Sequence, residues 1–179
     1  MSYEVCIWDP ARHAPLPATA ADAVATFERL DGVADTWNST LGDFGIALAE
    51  RHDAGLTMAQ PGAGGAAYWG ADPRESTATC RTAIYRMALP GDDWSLQMVQ
   101  VVELAAAHGL VVLDNEMNVC FLPDGSVFPD DMREVWTSER ADLLAGPRDP
   151  SEPAPDSRTW LQWLAGEVFD AIGRGNKSR

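Results

Sequence analysis

Two segments near the start of the chain have the polarity patterns of a strand and of a helix. Residues 3–8 are rich in β-forming residues, so we expect a strand. It should end at Asp9-Pro10, because proline has no backbone N–H to donate to a strand ladder. Thr19 and Asp22 then form a helix-capping pattern, and apolar side chains recur on one face of the segment that follows.

The middle of the chain predicts a second helix, a loop and a second strand. Thr40 with Asp43 repeats the capping pattern, although two glycines in the same segment weaken the helix prediction. Residues 55–72 are rich in glycine and predict a loop in which Tyr68-Trp69 forms a short strand. Residues 79–89 predict a strand that a proline-glycine pair ends.

The second half predicts a helix, then short strands. An apolar segment capped by Asp92 or Asp93 runs to His108, and Gly109 favours the left-handed conformation that ends helices. A helix this apolar should lie against a sheet. The strands are expected at 110–113, at 119–122 and, after a proline-glycine turn, at 127–128.

The order of these elements predicts an α+β sandwich with an appended helix. We expect a small, mostly antiparallel sheet covered by helices, in a core domain over residues 1–145 whose last helix is capped by Asp130. Residues 146–157 are rich in proline and predict a tether. Residues 158–173 predict a C-terminal helix with a broad apolar face, which should dock on its own domain or on another chain.

Acidic residues outnumber basic residues by about two to one. The 179 residues include 27 acidic and 13 basic ones, and the formal net charge is -14. A field of this sign repels nucleic-acid phosphates and anionic lipid, so we expect neither as a partner. No segment has the roughly 18–20 uninterrupted apolar residues that cross a membrane. The first residues lack the regions of a secretion signal, so the expected compartment is the cytoplasm.

The motifs of common enzyme classes are missing from the sequence or lack their structural context. Residues 62–67 match a dinucleotide-binding fingerprint by letters, but no predicted strand precedes them and no predicted helix follows. There is neither a phosphate-binding loop with its lysine nor a nucleophile elbow. Cys6, Cys80 and Cys120 lack the paired spacing of zinc ligands and are expected to be buried thiols. We therefore expect no cofactor and favour a protein that is not an enzyme.

Carboxylates are the abundant candidate functional groups. Five of them follow a predicted strand or surround a predicted helix start: Asp114, Glu116, Asp130, Asp131 and Glu134. Hard cations such as Mg²⁺ prefer several oxygen ligands, so the first four form a candidate metal site. Acidic residues are also favoured in turns and at helix N-termini without any ligand, and this structural interpretation is the stronger one. All five are candidates for contacts with a partner.

Two tryptophans of the predicted C-terminal helix are further candidates for binding a partner. Most of the seven tryptophans are expected in the core, because large aromatic side chains are costly to leave in water. Trp160 and Trp163 lie behind the predicted tether, where their helix can fold back on the domain or bind another chain. Fold-back is the simpler expectation, because the domain is the nearest apolar surface.

Several short segments resemble a poorly characterised group of small bacterial proteins. The first eight residues are similar to the group's opening M-S/T-Y-D-L-x-x-W, with Glu4 in place of aspartate. Residues 108–114 resemble its later pattern H/R-G-L-V-x-x-D, and Ala67-Tyr68-Trp69-Gly70 belongs to the same likeness, which covers most of residues 1–128. Some members of the group look like immunity or accessory partners of secreted toxins. The resemblance therefore implies a protein-binding function.

Three functions remain open at this point. The first is an acidic immunity-type protein that neutralises a basic partner such as a toxin nuclease, because complementary charge accelerates capture. The second is a small metal-dependent enzyme that uses the acidic cluster around Asp114 and Asp131. The third is a structural accessory protein whose last helix docks elsewhere. The first agrees best with the charge and with the missing catalytic motifs.

Overall fold

A five-stranded antiparallel sheet and six helices make up the part of the chain that the structure describes. The computed structural model describes residues 3–59, 68–90 and 94–145. The strands are β1 (Tyr3–Trp8), β2 (Ile84–Leu89), β3 (Val111–Asp114), β4 (Val119–Phe121) and β5 (Val127–Phe128). The helices are α1 (Pro10–His13), α2 (Ala20–Leu30), α3 (Ser39–Ala59), α4 (Pro73–Thr79), α5 (Trp94–Ala107) and α6 (Met132–Ala145). The α+β class predicted from the sequence is therefore confirmed.

The chain divides into two units. Met1–Asp130 is the first unit and holds the sheet with α1 to α5, whereas α6 belongs to the second unit, Asp131–Arg179. The tether expected over 146–157 and the helix expected over 158–173 lie outside the described residues, so both stay predictions. No helix within the described ranges is long and apolar enough to cross a lipid bilayer.

The sheet has the strand order β2-β1-β3-β4-β5, so β1 lies between β2 and β3. Ile7 of β1 pairs with Tyr85 of β2 and with Val112 of β3, and every pairing is antiparallel. Because successive side chains point to opposite faces of a strand, this register sorts the strand residues into two faces. One face packs on α2 in a buried cluster that includes Cys6, Trp8, Val111, Leu113, Cys120, Ala23, Phe27 and Leu30.

Helix α5 covers the other face of the sheet. It contacts β2 and β3, and its first residue, Trp94, stacks on Tyr3, which shares the face of Ile7. Helix α3 lies against both α5 and α4. Both faces of the sheet are therefore buried under helices, as the sequence predicted for a sandwich.

Side-chain caps explain where α2 and α3 begin. The Thr19 hydroxyl oxygen accepts a hydrogen bond from the Asp22 backbone N–H (3.1 Å), which confirms the predicted cap of α2. The predicted cap of α3 was wrong by two residues. Asn38 Oδ1 accepts a hydrogen bond from the Thr40 N–H (2.9 Å), so Asn38 caps this helix.

Two short helices begin at Asp-Pro pairs that were not predicted as helix starts. Asp9 and Asp72 each accept a hydrogen bond from the backbone N–H two residues on, and a proline follows each of them at the first helical position. Proline fits there because an N–H at that position has no partner within the helix.

The strand predicted from residue 79 was wrong at its start, since α4 ends at Thr79 and β2 begins at Ile84. Residues 68 and 69 are helical and do not form the predicted strand.

Helix α3 runs further than predicted and contacts two neighbouring helices. The sequence predicted a loop from Gly55, but α3 continues to Ala59. At Gly45 the helix approaches α4 so closely that a side-chain carbon would lie 2.6 Å from the Pro73 carbonyl oxygen and would overlap Thr77. Glycine thus permits the contact between α3 and α4. The packing gained offsets the low helix propensity of glycine.

We predict that Gly45→Ala lowers the free energy of unfolding by about 1–3 kcal/mol, because the added methyl group overlaps α4. Gly42→Ala is the matched control on the same helix, since the nearest atom to its added carbon would be Cζ2 of Trp37, at 3.4 Å. The control should raise stability by about 0.5–1 kcal/mol, because alanine is the better helix former. Urea unfolding measures both changes. Stabilisation by Gly45→Ala would contradict the close approach of the two helices.

Candidate functional site

Asp114, the first carboxylate of the predicted acidic cluster, is buried at the end of β3. Its side chain is 2% exposed. Oδ1 accepts hydrogen bonds from the backbone N–H groups of Glu116 and Met117, both at 3.1 Å, and Oδ2 accepts one from the Tyr3 hydroxyl. The carboxylate therefore holds the turn between β3 and β4 and joins it to β1.

Burial changes the titration of this pair. It raises the pKa of Asp114 to about 6; the hydrogen bonds from Tyr3 and from the turn lower the pKa in part, and the charge of Glu116 raises it. Burial, followed by the charge of Asp114, holds the pKa of the Tyr3 hydroxyl well above its usual value. Trp94 stacks on the Tyr3 ring with a centroid separation of 4.3 Å. Tyr3 and Asp114 thus form a polar joint inside the fold.

The other predicted acidic residues lie on the surface. Glu116, Asp130, Asp131 and Glu134 are all exposed. Within the described ranges, no group of three or more His, Cys, Asp or Glu side chains is placed to hold a metal ion. The metal site around Asp114 and Asp131 therefore remains a hypothesis from sequence alone. Trp160 and Trp163 lie outside the described residues, so their predicted contact with a partner stays a prediction.

A groove beside β2 collects several polar side chains, but these bond to one another. The groove has a volume of about 410 Å³ and is lined by residues that include Asp31, Ser76, Cys80, Tyr85 and Arg86. The Arg86 guanidinium donates to Asp31 Oδ1 (2.8 Å) and to a carboxylate oxygen of Glu4 (2.6 Å). The hydroxyls of Ser76 and Tyr85 are 2.7 Å apart. Arg86 therefore has no unpaired charge to offer to a ligand in this groove.

The three cysteines differ in burial. Cys6 and Cys120 are buried, as predicted, and burial raises the pKa of their thiols to about 11 and about 12. Neither is a reactive thiol at neutral pH, because the thiolate is the reactive form. Cys80 is only half-buried, so the prediction of a third buried thiol was wrong. Its Sγ lies 3.6 Å from the Thr82 carbonyl oxygen.

The segment that leads into α3 is fixed by Arg12 of α1. The Arg12 guanidinium donates to Asp35 Oδ1 (3.0 Å), to the Thr36 hydroxyl (2.9 Å) and to the Trp37 carbonyl oxygen (3.1 Å). His13 Nε2 lies 3.0 Å from Asp35 Oδ2. The Asp35 carboxylate thus contacts two side chains of α1, those of Arg12 and His13. The Arg12 guanidinium holds three consecutive residues of the segment, from Asp35 to Trp37.

Two buried polar side chains complete this junction. Asn38 Nδ2 donates to Asp9 Oδ2 at 3.2 Å. Each side chain also caps a helix through its Oδ1 atom. Asp9 Oδ1 caps the start of α1, and Asn38 Oδ1 caps the start of α3. Buried polar groups are costly unless they are hydrogen-bonded, so Asp9 and Asn38 each provide the partner that the other side chain needs. We call Asp9, Arg12, Asp35 and Asn38 the α1–α3 junction.

The α1–α3 junction presents one exposed tryptophan. Trp37 is 54% exposed, whereas Trp8 and Trp69 are buried, so the expectation that tryptophans lie in the core fails at this position. Its carbonyl oxygen is bound by Arg12, the next residue is the buried cap Asn38, and its ring lies beside Gly42. The backbone of Trp37 is therefore held in place while its side chain is exposed.

Helix α3 extends this apolar surface and flanks it with negative charge. Ile46, one turn beyond Gly42, is 45% exposed. Asp43 and Glu50 are exposed and lie three residues before and four residues after Ile46, on the same face of the helix. No side chain that the structure describes forms an ion pair with Asp43 or Glu50. We call Trp37 and Ile46 the Trp37 patch.

Comparison with protein-family models, with characterised proteins and with solved structures gives no match. The fold defines the class of the protein as an α+β sandwich whose sheet has the order β2-β1-β3-β4-β5. The resemblance to small bacterial immunity-type proteins stays a prediction.

We predict that Asp114→Asn changes how stability depends on pH. The pKa of Asp114 is raised by folding, so the carboxyl group stabilises the fold fully below about pH 4 and loses that contribution as the pH rises through about 6. Over this window the unaltered chain should lose about 1–3 kcal/mol relative to Asp114→Asn. Thermal unfolding from pH 4 to pH 7 measures the difference.

The control for this experiment is Glu116→Gln, which removes an exposed carboxylate from the same turn. Its stability profile should stay close to that of the unaltered chain. Parallel profiles for the unaltered chain and Asp114→Asn would show that the buried carboxyl group does not titrate as described.

Proposed function

We propose that this protein is an acidic protein-binding module that neutralises a basic protein partner, as an immunity protein does for a bacterial toxin. The observation that carries the proposal is the formal net charge of -14. Among the acidic side chains whose burial the structure describes, only Asp9 and Asp114 are buried. The charge is therefore displayed at the surface, where a partner meets it.

A surface of this kind suits rapid capture of a cationic protein. Complementary fields steer the encounter and raise association rates to about 10⁸–10⁹ M⁻¹s⁻¹ at low salt. A toxin must be bound before it acts, so speed is the property that such a protein needs. The α1–α3 junction and the Tyr3–Asp114 joint meanwhile use their buried polar groups to hold the fold together.

The two alternative functions receive less support. A metal-dependent enzyme needs converging ligands, and Asp114 already accepts three hydrogen bonds within the chain. Calorimetric binding of Mg²⁺ that disappears in Asp114→Ala and Asp131→Ala would support that alternative. A structural accessory role depends on residues 158–173, which lie outside the described residues.

The test is binding to the basic protein encoded by the gene next to that of this chain, measured by surface plasmon resonance. We expect a complex whose association rate falls at least about 10-fold between about 0.05 M and about 0.5 M NaCl, because salt screens exposed charges. An unrelated basic protein of similar net charge is the control for non-specific attraction and should bind more weakly. Absence of a complex at micromolar concentration, or a complex indifferent to salt, would contradict the proposal.

A further inference from the structure

We propose that the Trp37 patch is the docking surface for the basic partner, and that its occupant is an amphipathic cationic helix of that partner. The inference rests on the proposed function and deepens it, because it names where the partner binds and by what chemistry. The occupant needs one or two apolar side chains that cover Trp37 and Ile46. It also needs Lys or Arg seven residues apart beside them, opposite Asp43 and Glu50.

The patch is preorganised for this purpose. Arg12 binds the Trp37 carbonyl oxygen at 3.1 Å, and the buried Asn38 fixes the following residue through Asp9. The Trp37 ring lies beside Gly42 of α3. A partner that buries this ring pays little conformational entropy, because the segment is already ordered. Tryptophan is also among the residues that contribute most at protein interfaces.

Charge decides which occupant fits. Asp43 and Glu50 are seven residues apart on α3, so they lie about 10 Å apart along the helix axis, at about 1.5 Å per residue. Two cations seven residues apart on a second helix, with apolar residues between them, match this spacing. A second copy of this chain would bring further carboxylates to the same place and would be repelled. The cationic helix is therefore the occupant that we infer.

The probe for the test is a synthetic helical peptide of about 20 residues, with leucines on one face and lysines seven residues apart beside them. A second peptide of the same composition, with leucines spread around the helix, reports charge attraction alone. Fluorescence anisotropy of the labelled peptides measures binding to the full chain. We expect the amphipathic peptide to bind at least about 10-fold more tightly than its scrambled counterpart, a difference of about 1.4 kcal/mol.

Matched variants locate the binding surface. Trp37→Ala should weaken binding at least about 30-fold, the effect typical of an interface hot spot, and Ile46→Ala should weaken it less. Leu16→Ala is the control, because Leu16 and Ile46 are both 45% exposed. Circular dichroism and thermal unfolding confirm that each variant is folded.

A second pair of variants separates local charge from net charge. Asp43→Asn with Glu50→Gln removes the two flanking charges, and Asp22→Asn with Glu28→Gln removes two exposed charges from α2. We expect the first pair to weaken peptide binding at least about 10-fold more than the second, because only nearby charges act at physiological salt.

The outcomes separate this inference from the proposed function. If binding survives Trp37→Ala, or if both peptides bind equally well, the docking surface lies elsewhere and capture by net charge still stands. If the unaltered chain binds neither peptide, the docking inference is contradicted, whereas the proposed function is decided by binding of the basic partner protein itself. Self-association that Trp37→Ala abolishes would show that a second copy occupies the patch and would overturn the inference.

Discussion

The hydrogen bond between Asp9 and Asn38 is the constraint on which the candidate surface depends. Both side chains are buried, and a buried carboxylate without partners would cost several kcal/mol, so the fold must keep this pair together. Each partner also caps a helix, so the end of β1, the start of α1 and the start of α3 are fixed relative to one another. Arg12 joins the intervening segment to α1, and the exposed position of Trp37 follows from these contacts.

The net charge and the Trp37 patch have different roles in the proposed binding. The net charge acts at long range and sets how fast a cationic partner arrives, but it distinguishes poorly between one basic protein and another. An exposed aromatic ring beside two carboxylates acts only on contact, so it can select a partner with the matching pattern. Asp114 and Arg86 form their hydrogen bonds within the chain.

The features that the sequence predicted correctly depend on residues that lie close together in the chain. The Thr19 cap and the hairpin of β3 and β4 depend on residues within a few positions of each other, and both are confirmed. The Asp-Pro starts of α1 and α4 were equally local and were missed, because the pairs were interpreted only as strand breakers or as parts of loops. The need for glycine at position 45 of α3 and the exposure of Trp37 could not be predicted, since they depend on distant contacts, with α4 in one case and with Arg12 in the other.

We infer that the α1–α3 junction holds Trp37 rigid at the surface. The direct test is ¹⁵N relaxation of the Trp37 indole N–H, assigned by its loss in Trp37→Phe and compared between the unaltered chain and Arg12→Ala. We predict an order parameter of about 0.8 or higher in the unaltered chain and a clear decrease in the variant. An order parameter below about 0.6 in the unaltered chain would contradict the claim, because the ring would then be mobile despite the contacts around it.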